Sequence, residues 1–344
     1  MSEEKIVIRD KVILLPDGKL KEFDNIGIST KTVIALTNLH IDLDKYFLYA
    51  PITDYMPVEK KRGRKKRYSV QPAVLILPYG SIISVQKRNA MRGAILKNKQ
   101  KNKSFFLHSV TTVFMLNDNK MINVKVSSNG RFQMTGCKND SHYVETIIIL
   151  MKTLKDIEQY SGEKIWNFTD DSDKLNVTFN TVMQNMDFNI GFYIKRNKLD
   201  YFINTGTEFR SIFEGSISTG VNIKIPSASE SEEKLLKISY DHSTDIIEKS
   251  LVPYSNYYNS LEAKEKRKEE RKEKHHTFLV FSSGSIIMSS RGSDMKRVFE
   301  SLTKTLVANR KEFEDIATPE ECIKQLASDT ECEEVCEEVC EEVC

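Results

Sequence analysis

The sequence predicts an α+β fold in which two similar halves each lay helices on one face of an antiparallel sheet. Three observations lead there. A strand, glycine turn and strand occur twice, at Val126–Lys138 and Val280–Gly292. A stretch with helical spacing of apolar residues follows each copy. An upstream pair of strand and short helix also occurs in both halves.

With Gly130 set on Gly284, Met134 meets Met288, Thr135 meets Ser289 and Asp140 meets Asp294. Each copy reads as a hairpin. From Ser141 to Gln159, apolar residues recur at Val144, Ile147, Ile148, Met151 and Leu154. From Asp294 to Phe313 they recur at Met295, Val298, Leu302, Leu306 and Val307. Both spacings place one apolar stripe on a helix. Asp140 or Ser141, and Ser293 or Asp294, are the expected N-caps, because short oxygen-bearing side chains accept from first-turn amides. Upstream, Thr30–Leu39 reads as a strand and Asp42–Leu48 as a short helix; Val177–Phe192 and Asn197–Ile203 repeat that order. Further strands are expected at about His108–Asn117 and Ser216–Ile225.

The chain then divides into an N-terminal extension (1–27), a first repeat (28–160), a linker (161–176), a second repeat (177–313) and an acidic, cysteine-containing tail (314–344) expected to be disordered. Two segments do not fit the repeat and are expected to be insertions in rim loops. One, about 51–107, contains the basic run Lys60–Arg67; the other, about 227–275, contains the mixed run Lys264–Lys274, which reads as a solvated helix. The basic run suits a nuclear address or a grip on a nucleic-acid backbone.

At 344 residues and 40% hydrophobic, the chain has enough apolar material for a core. Its net charge of +2 hides an uneven distribution: Pro319–Cys344 holds ten acidic residues and one lysine, which is −9, so Met1–Thr318 carries +11. A basic body points to a polyanionic partner. No run approaches membrane-spanning length and the opening MSEEKIVIRD lacks an apolar signal core, so an intracellular protein with no membrane partner is expected. Only Cys137 and Cys322 precede the terminal cysteines, which implies no disulfide framework. Cys332, Cys336, Cys340 and Cys344 are spaced by four, and one straight helix cannot wrap four such thiols around a tetrahedral ion. No metal or cofactor is expected. His275-His276 has no Asp, Glu or Cys at a recognised ligand spacing, and no phosphate loop, nucleophile elbow or zinc-protease helix motif occurs. The expectation is a binding protein and not an enzyme.

The doubled order resembles the TATA-binding-protein family, which repeats strand, helix, antiparallel strands and helix. Phe281-Ser282-Ser283-Gly284 matches the start of that family's hairpin motif and Thr135-Gly136-Cys137-Lys138 its end. The resemblance covers about half of the chain, in pieces. It implies two half-repeats forming a saddle whose concave sheet lies in the DNA minor groove, where binding depends on deformability more than on base readout. It also implies double-stranded, AT-rich promoter DNA as partner, with a factor-IIB-like protein and RNA polymerase recruited by the convex side. The site of action would be the nucleus or the place of viral transcription. The divergent motifs, with many Lys, Ile and Asn residues, point to a lineage such as a large DNA virus.

Carried residue by residue, Phe281, Val110, Ser127 and Ile217 stand where the family has DNA-wedging phenylalanines. Asn185 and Thr30 stand where it has groove-reading asparagines, with Thr32 on the same strand face as Thr30; Thr135 and Ser289 stand at the hairpin-end threonines. Arg131, just after the turn glycine, suits a phosphate contact. Alternation alone gives a parallel expectation. Ile122, Val124 and Val126 should pack on the long helix, and Asn123, Lys125, Ser127, Arg131, Gln133 and Thr135 should form a polar face. In the second repeat the corresponding face carries Thr277, Leu279, Phe281, Ser285, Ile287 and Ser289 and is more apolar. The alternative is a protein-interaction module that keeps the fold without strong DNA binding.

Overall fold

A computed structural model describes residues 11–55, 77–95, 108–117, 120–215, 219–227, 233–271, 274–291 and 294–315. The chain is α+β and forms two compact units: Thr30–Val182 with Lys234–Tyr257, and Met1–Ser29 with Met183–Glu233 and Tyr258–Cys344.

The first unit contains strands β1 (Thr30–Thr37) and β2 (Leu39–Ile41), helix α1 (Leu43–Tyr49), strands β3 (Ile82–Lys87), β4 (Ala90–Gly93), β5 (Ser109–Met115), β6 (Met121–Ser127) and β7 (Arg131–Cys137), and helix α2 (Asp140–Ser161). Its sheet runs β1-β7-β6-β5-β3-β4, every neighbour antiparallel. The alternating sequence of β6 decides which face is covered: Ile122, Val124 and Val126 are buried, and they share a core with Val33, Phe132 and Met134 and with Ile147, Leu150, Met151 and Leu154 of α2. The helix-facing set is therefore the one that alternation predicts.

Local chemistry sets the helix starts. The Asp42 carboxylate accepts from the amides of Asp44 and Lys45 at 3.0 and 3.1 Å and begins α1. Asn139, not Asp140 or Ser141, caps α2, accepting from the His142 amide at 3.1 Å. Asn139 is still extended, while the Asp140 carboxylate is taken by Lys31 Nζ at 3.0 Å.

Three connecting segments differ from the sequence expectation. The segment 51–107 is not one insertion, because β3 pairs with β5 and β4 with β3. The basic run 60–67 lies outside the described residues. The linker 161–176 supplies β8 (Trp166–Phe168), which pairs with β2, and the first two residues of β9 (Leu175–Asn189). The segment 227–275 supplies β12 (Lys234–Asp241) and β13 (Ile246–Pro253), and β12 pairs with the first half of β9. Ile238 and Tyr240 thereby join the first unit's core. In each case an apolar strand lies among charged neighbours, so composition concealed the pairing.

The second unit uses the latter half of β9, then α3 (Arg196–Gly206), β10 (Arg210–Ile212) and β11 (Val221–Pro226). After α4 (Tyr254–Ser260) and α5 (Ala263–Glu270) come β14 (His275–Val280), β15 (Ser285–Ser290), α6 (Met295–Ala308) and α7 (Arg310–Phe313). The sheet order is β9-β15-β14-β11-β10, again antiparallel. Met186, Phe188, Val221, Ile223, Phe278, Val280, Ile286 and Met288 pack with Val298, Phe299, Leu302 and Leu306 of α6. The residues 11–28 are no loose extension: Ile13 is fully buried in this core and its amide donates to the Asn189 carbonyl at 2.8 Å. The expected single helix to Phe313 breaks at Asn309, whose side chain turns back to the Thr305 carbonyl at 2.9 Å. The charged helix α5 buries none of its side chains fully, as a solvated helix should.

The two turn glycines are required by geometry. Gly130 and Gly284 have φ of +73° and +78°, a region that suits glycine. The acidic tail, residues 316–344, lies outside the described residues. Among the described residues no helix is long and apolar enough to cross a membrane.

Candidate nucleic-acid interface

In each unit the helices cover one sheet face, and the register sets what the opposite face displays. In the first unit one cross-strand row reads Thr32, Thr135, Asn123, Val113 and Ser84. The adjacent row reads Ile34, Gln133, Lys125, Thr111 and Gln86. Ser127 ends β6 opposite Ser109, and Arg131 starts β7 opposite Leu36. Thr111, Asn123, Lys125, Ser127, Arg131, Gln133 and Thr135 are all half-buried, while Thr32 is buried. The outer part of this face is closed: Val113 and Met115 form a small apolar cluster with Leu77 and Ile83.

In the second unit one row reads Asn185, Ser289, Thr277, Lys224 and Arg210. The next reads Asp187, Ile287, Leu279, Asn222 and Ile212. Leu279 and Ile287 are half-buried and Ile212 is 68% exposed, so this face is the more apolar of the two. Lys224 and Arg210 are exposed at its outer end.

Both faces contain a buried acceptor. Among the described residues no donor reaches Asn123 Oδ1 or Asn222 Oδ1. A buried carboxamide oxygen without a donor costs about 1–3 kcal/mol. Such faces offer hydrogen-bonding groups at strand spacing, flanked by Lys125 and Arg131 in one unit and Lys224 and Arg210 in the other.

The sequence-derived residues fare unevenly. Thr32 and Thr135 are cross-strand partners, as are Asn185 and Ser289. Thr30 opens β1, half-buried, and Ile217 lies outside the described residues. Two wedge assignments need correction. Val110 is fully buried and pairs with Val126, so it shares the helix-facing side. Its neighbours Ser109 and Thr111 take the opposite side, which places the motif alignment one residue out of register. Phe281 is only 3% exposed. It closes the hairpin, its amide donating to Ser285 and its carbonyl accepting from Gly284, so it is not an exposed wedge on a continuing strand. Lys224, Arg210 and Asn222 were missed. The alternation in Val221–Pro226 shows which side Asn222 and Lys224 take, but not that β11 lies beside β14.

No protein-family model matches the chain. It is 26% identical over 315 residues to "Uncharacterized protein 335L" of Invertebrate iridescent virus 6, covering 86% of this chain and 87% of that one. Among solved structures it is similar to Methanococcus jannaschii TBP, with 12% identity, a TM-score of 0.38, and coverage of 82% of this chain and 97% of that chain.

Proposed function

We propose that this protein is a transcription initiation factor of TATA-binding-protein type, which binds duplex DNA through the uncovered sheet faces of its two units. One observation carries the reading. Both units share a five-strand order around a glycine hairpin, β1-β7-β6-β5-β3 in one and β9-β15-β14-β11-β10 in the other, and both set a row of hydrogen-bonding side chains on the face opposite the long helix: Thr32, Thr135 and Asn123 in one, Asn185, Ser289 and Thr277 in the other. The saddle belongs to this proposal, as do the AT-rich promoter and the recruitment of a factor-IIB-like protein and RNA polymerase. The relative in an iridescent virus supports a viral origin, and with it the viral genome as the DNA that this factor would serve.

Charge supports a backbone contribution. Residues 59–103 hold fourteen Lys and Arg and one Glu, which exceeds the surplus of the whole body. Phosphate contacts from that segment would give salt-sensitive affinity with little sequence preference, whereas the sheet faces would supply the preference.

The burial of Val110 and Phe281 favours a second reading, a protein-interaction module of the same fold, because neither side chain is presented for insertion between bases. Fluorescence anisotropy on AT-rich and GC-rich duplexes across a salt series, with end-labelled DNA reporting bending, separates the two. AT-preferring binding with bending supports the initiation factor. Binding without preference or bending leaves only a backbone grip. No binding at low salt moves the case to the interaction module.

A further inference from the structure

We propose that His276, with Ser290 and Asp294, is an acid-sensitive latch that holds the start of α6 to the β14–β15 hairpin of the second unit. His276 is fully buried on the helix-facing side of β14. Its Nδ1 lies 2.6 Å from Ser290 Oγ and its Nε2 2.8 Å from Asp294 Oδ1. A carboxylate only accepts, so Nε2 carries the proton and Nδ1 accepts from the Ser290 hydroxyl. The neutral imidazole thus satisfies both partners and joins β14, β15 and the residue before α6. The Ser–His–Asp set also resembles a nucleophilic triad, but Ser290 is buried, at 3% exposure.

The first unit shows what this position needs for folding alone. Aligned on the turn glycines, His276 matches Ile122, Ser290 matches Gly136 and Asp294 matches Asp140. Ile122 is an ordinary, fully buried core residue. At the position where the first unit carries an apolar side chain, the second unit carries a titratable one with two partners.

Every element around the imidazole contributes charge or polarity. On the α6 side, Arg297 Nη2 lies 2.8 Å from Asp294 Oδ2. After β11, Ser227 Oγ lies 3.3 Å from Asp294 Oδ1. After β15, Arg291 Nη2 meets Glu269 of α5 at 2.6 Å, and Lys274 lies 3.8 Å from the same carboxylate. His275 is the neighbour in sequence. Burial is the largest influence and holds the His276 pKa below the ordinary histidine value; Asp294 opposes it, while Arg297 and His275 add to it. Protonation would also put a hydrogen on Nδ1 facing Ser290, and the hydroxyl hydrogen would have to turn away inside the core. The unfolded chain then binds more protons than the folded one just below about pH 6.5. Stability is complete above that pH and falls as pH drops through it towards the folded pKa.

The test is hydrogen–deuterium exchange of the full chain at about pH 7.5 and about pH 5, corrected for intrinsic exchange rates. The α6 and β14–β15 peptides should lose about tenfold more protection than the α2 and β6–β7 peptides, and His276→Gln should remove that difference. An equal loss in both hairpin–helix pairs, or an unchanged loss in His276→Gln, would overturn the latch. Nitrogen chemical shifts of labelled histidines in the unmodified protein give an answer that no variant's folding can obscure. His276 should be the Nε2–H tautomer at neutral pH and titrate below the ordinary histidine value; a protonated ring at neutral pH would refute the proposal.

Discussion

Gly284 lies so close to Phe192 that an added Cβ would stand 2.2 Å from the Phe192 carbonyl oxygen. The other hairpin repeats this approach, where a Cβ on Gly130 would stand 2.3 Å from the Leu39 carbonyl oxygen. Both contacts are with backbone, which cannot turn aside as a side chain can. A left-handed conformation alone costs an ordinary residue about 1–2 kcal/mol. Gly284→Ala and Gly130→Ala should each therefore lower unfolding free energy by more than that amount in urea titrations. A loss under about 0.5 kcal/mol would show that the turns relax easily.

Tyr46 is fully buried and its hydroxyl lies 3.0 Å from Thr112 Oγ1, tying α1 to β5. Removing either oxygen leaves the other buried and unpaired. Tyr46→Phe and Thr112→Val should each cost about 1–3 kcal/mol, and the double variant should cost less than the two together. Additive losses in the double-mutant cycle would mean that the oxygens do not interact.

Phe299 packs edge-on against Phe188 and Phe23, at centroid distances of 5.1 and 5.5 Å. Phe299→Ala should destabilise the protein by about 3–5 kcal/mol, measured by thermal or denaturant unfolding. A smaller loss would mean that α6 collapses into the space left behind.

Cys137 is fully buried at the end of β7, and burial pushes its thiol up to about 12. The thiolate is the reactive form, so Cys137 should resist alkylation at pH 8 in the native protein and react in urea. Peptide mass mapping of Cys137 after a timed pulse distinguishes these outcomes, and rapid native labelling would indicate that the end of β7 opens.

If the uncovered faces bind DNA, Lys224→Ala should weaken binding and reduce the slope of log affinity against log salt by about 0.9, the value for one lost phosphate contact. Lys198→Ala, on α3, serves as the control. Equal effects of the two substitutions would mean that Lys224 acts through general charge and not through a place on the sheet.

Much of the fold was legible because burial imposes a period. The alternation of β6 separates Ile122, Val124 and Val126 from Asn123, Lys125 and Ser127, and the structure buries the first set against α2. Phe278 and Val280 are likewise helix-facing, as their spacing predicts. The candidate site was legible in the same partial way, as faces. Thr135, Ser289 and Asn185 take the face opposite the long helix, the side that motif and parity together indicate, whereas Val110 was misplaced because a motif alignment can slip by one residue and reverse the face. His276 gave no local signal, since its partners Ser290 and Asp294 are brought to it only by the hairpin and the start of α6.

What the sequence determined by itself is the repeated hairpin and helix elements and the inward side of most of them, because apolar spacing reports which side chains must leave water. It also determined the two glycine turns and the charge contrast between body and tail. What only the tertiary structure decided is partnership. Period two tells a strand which way its side chains point, but not which strand lies beside it. The placing of β3 next to β5, of β12 next to β9, and of Lys224 and Arg210 in line with Asn185 depends on backbone hydrogen bonds between distant segments, and those bonds leave no mark on the spacing of either segment.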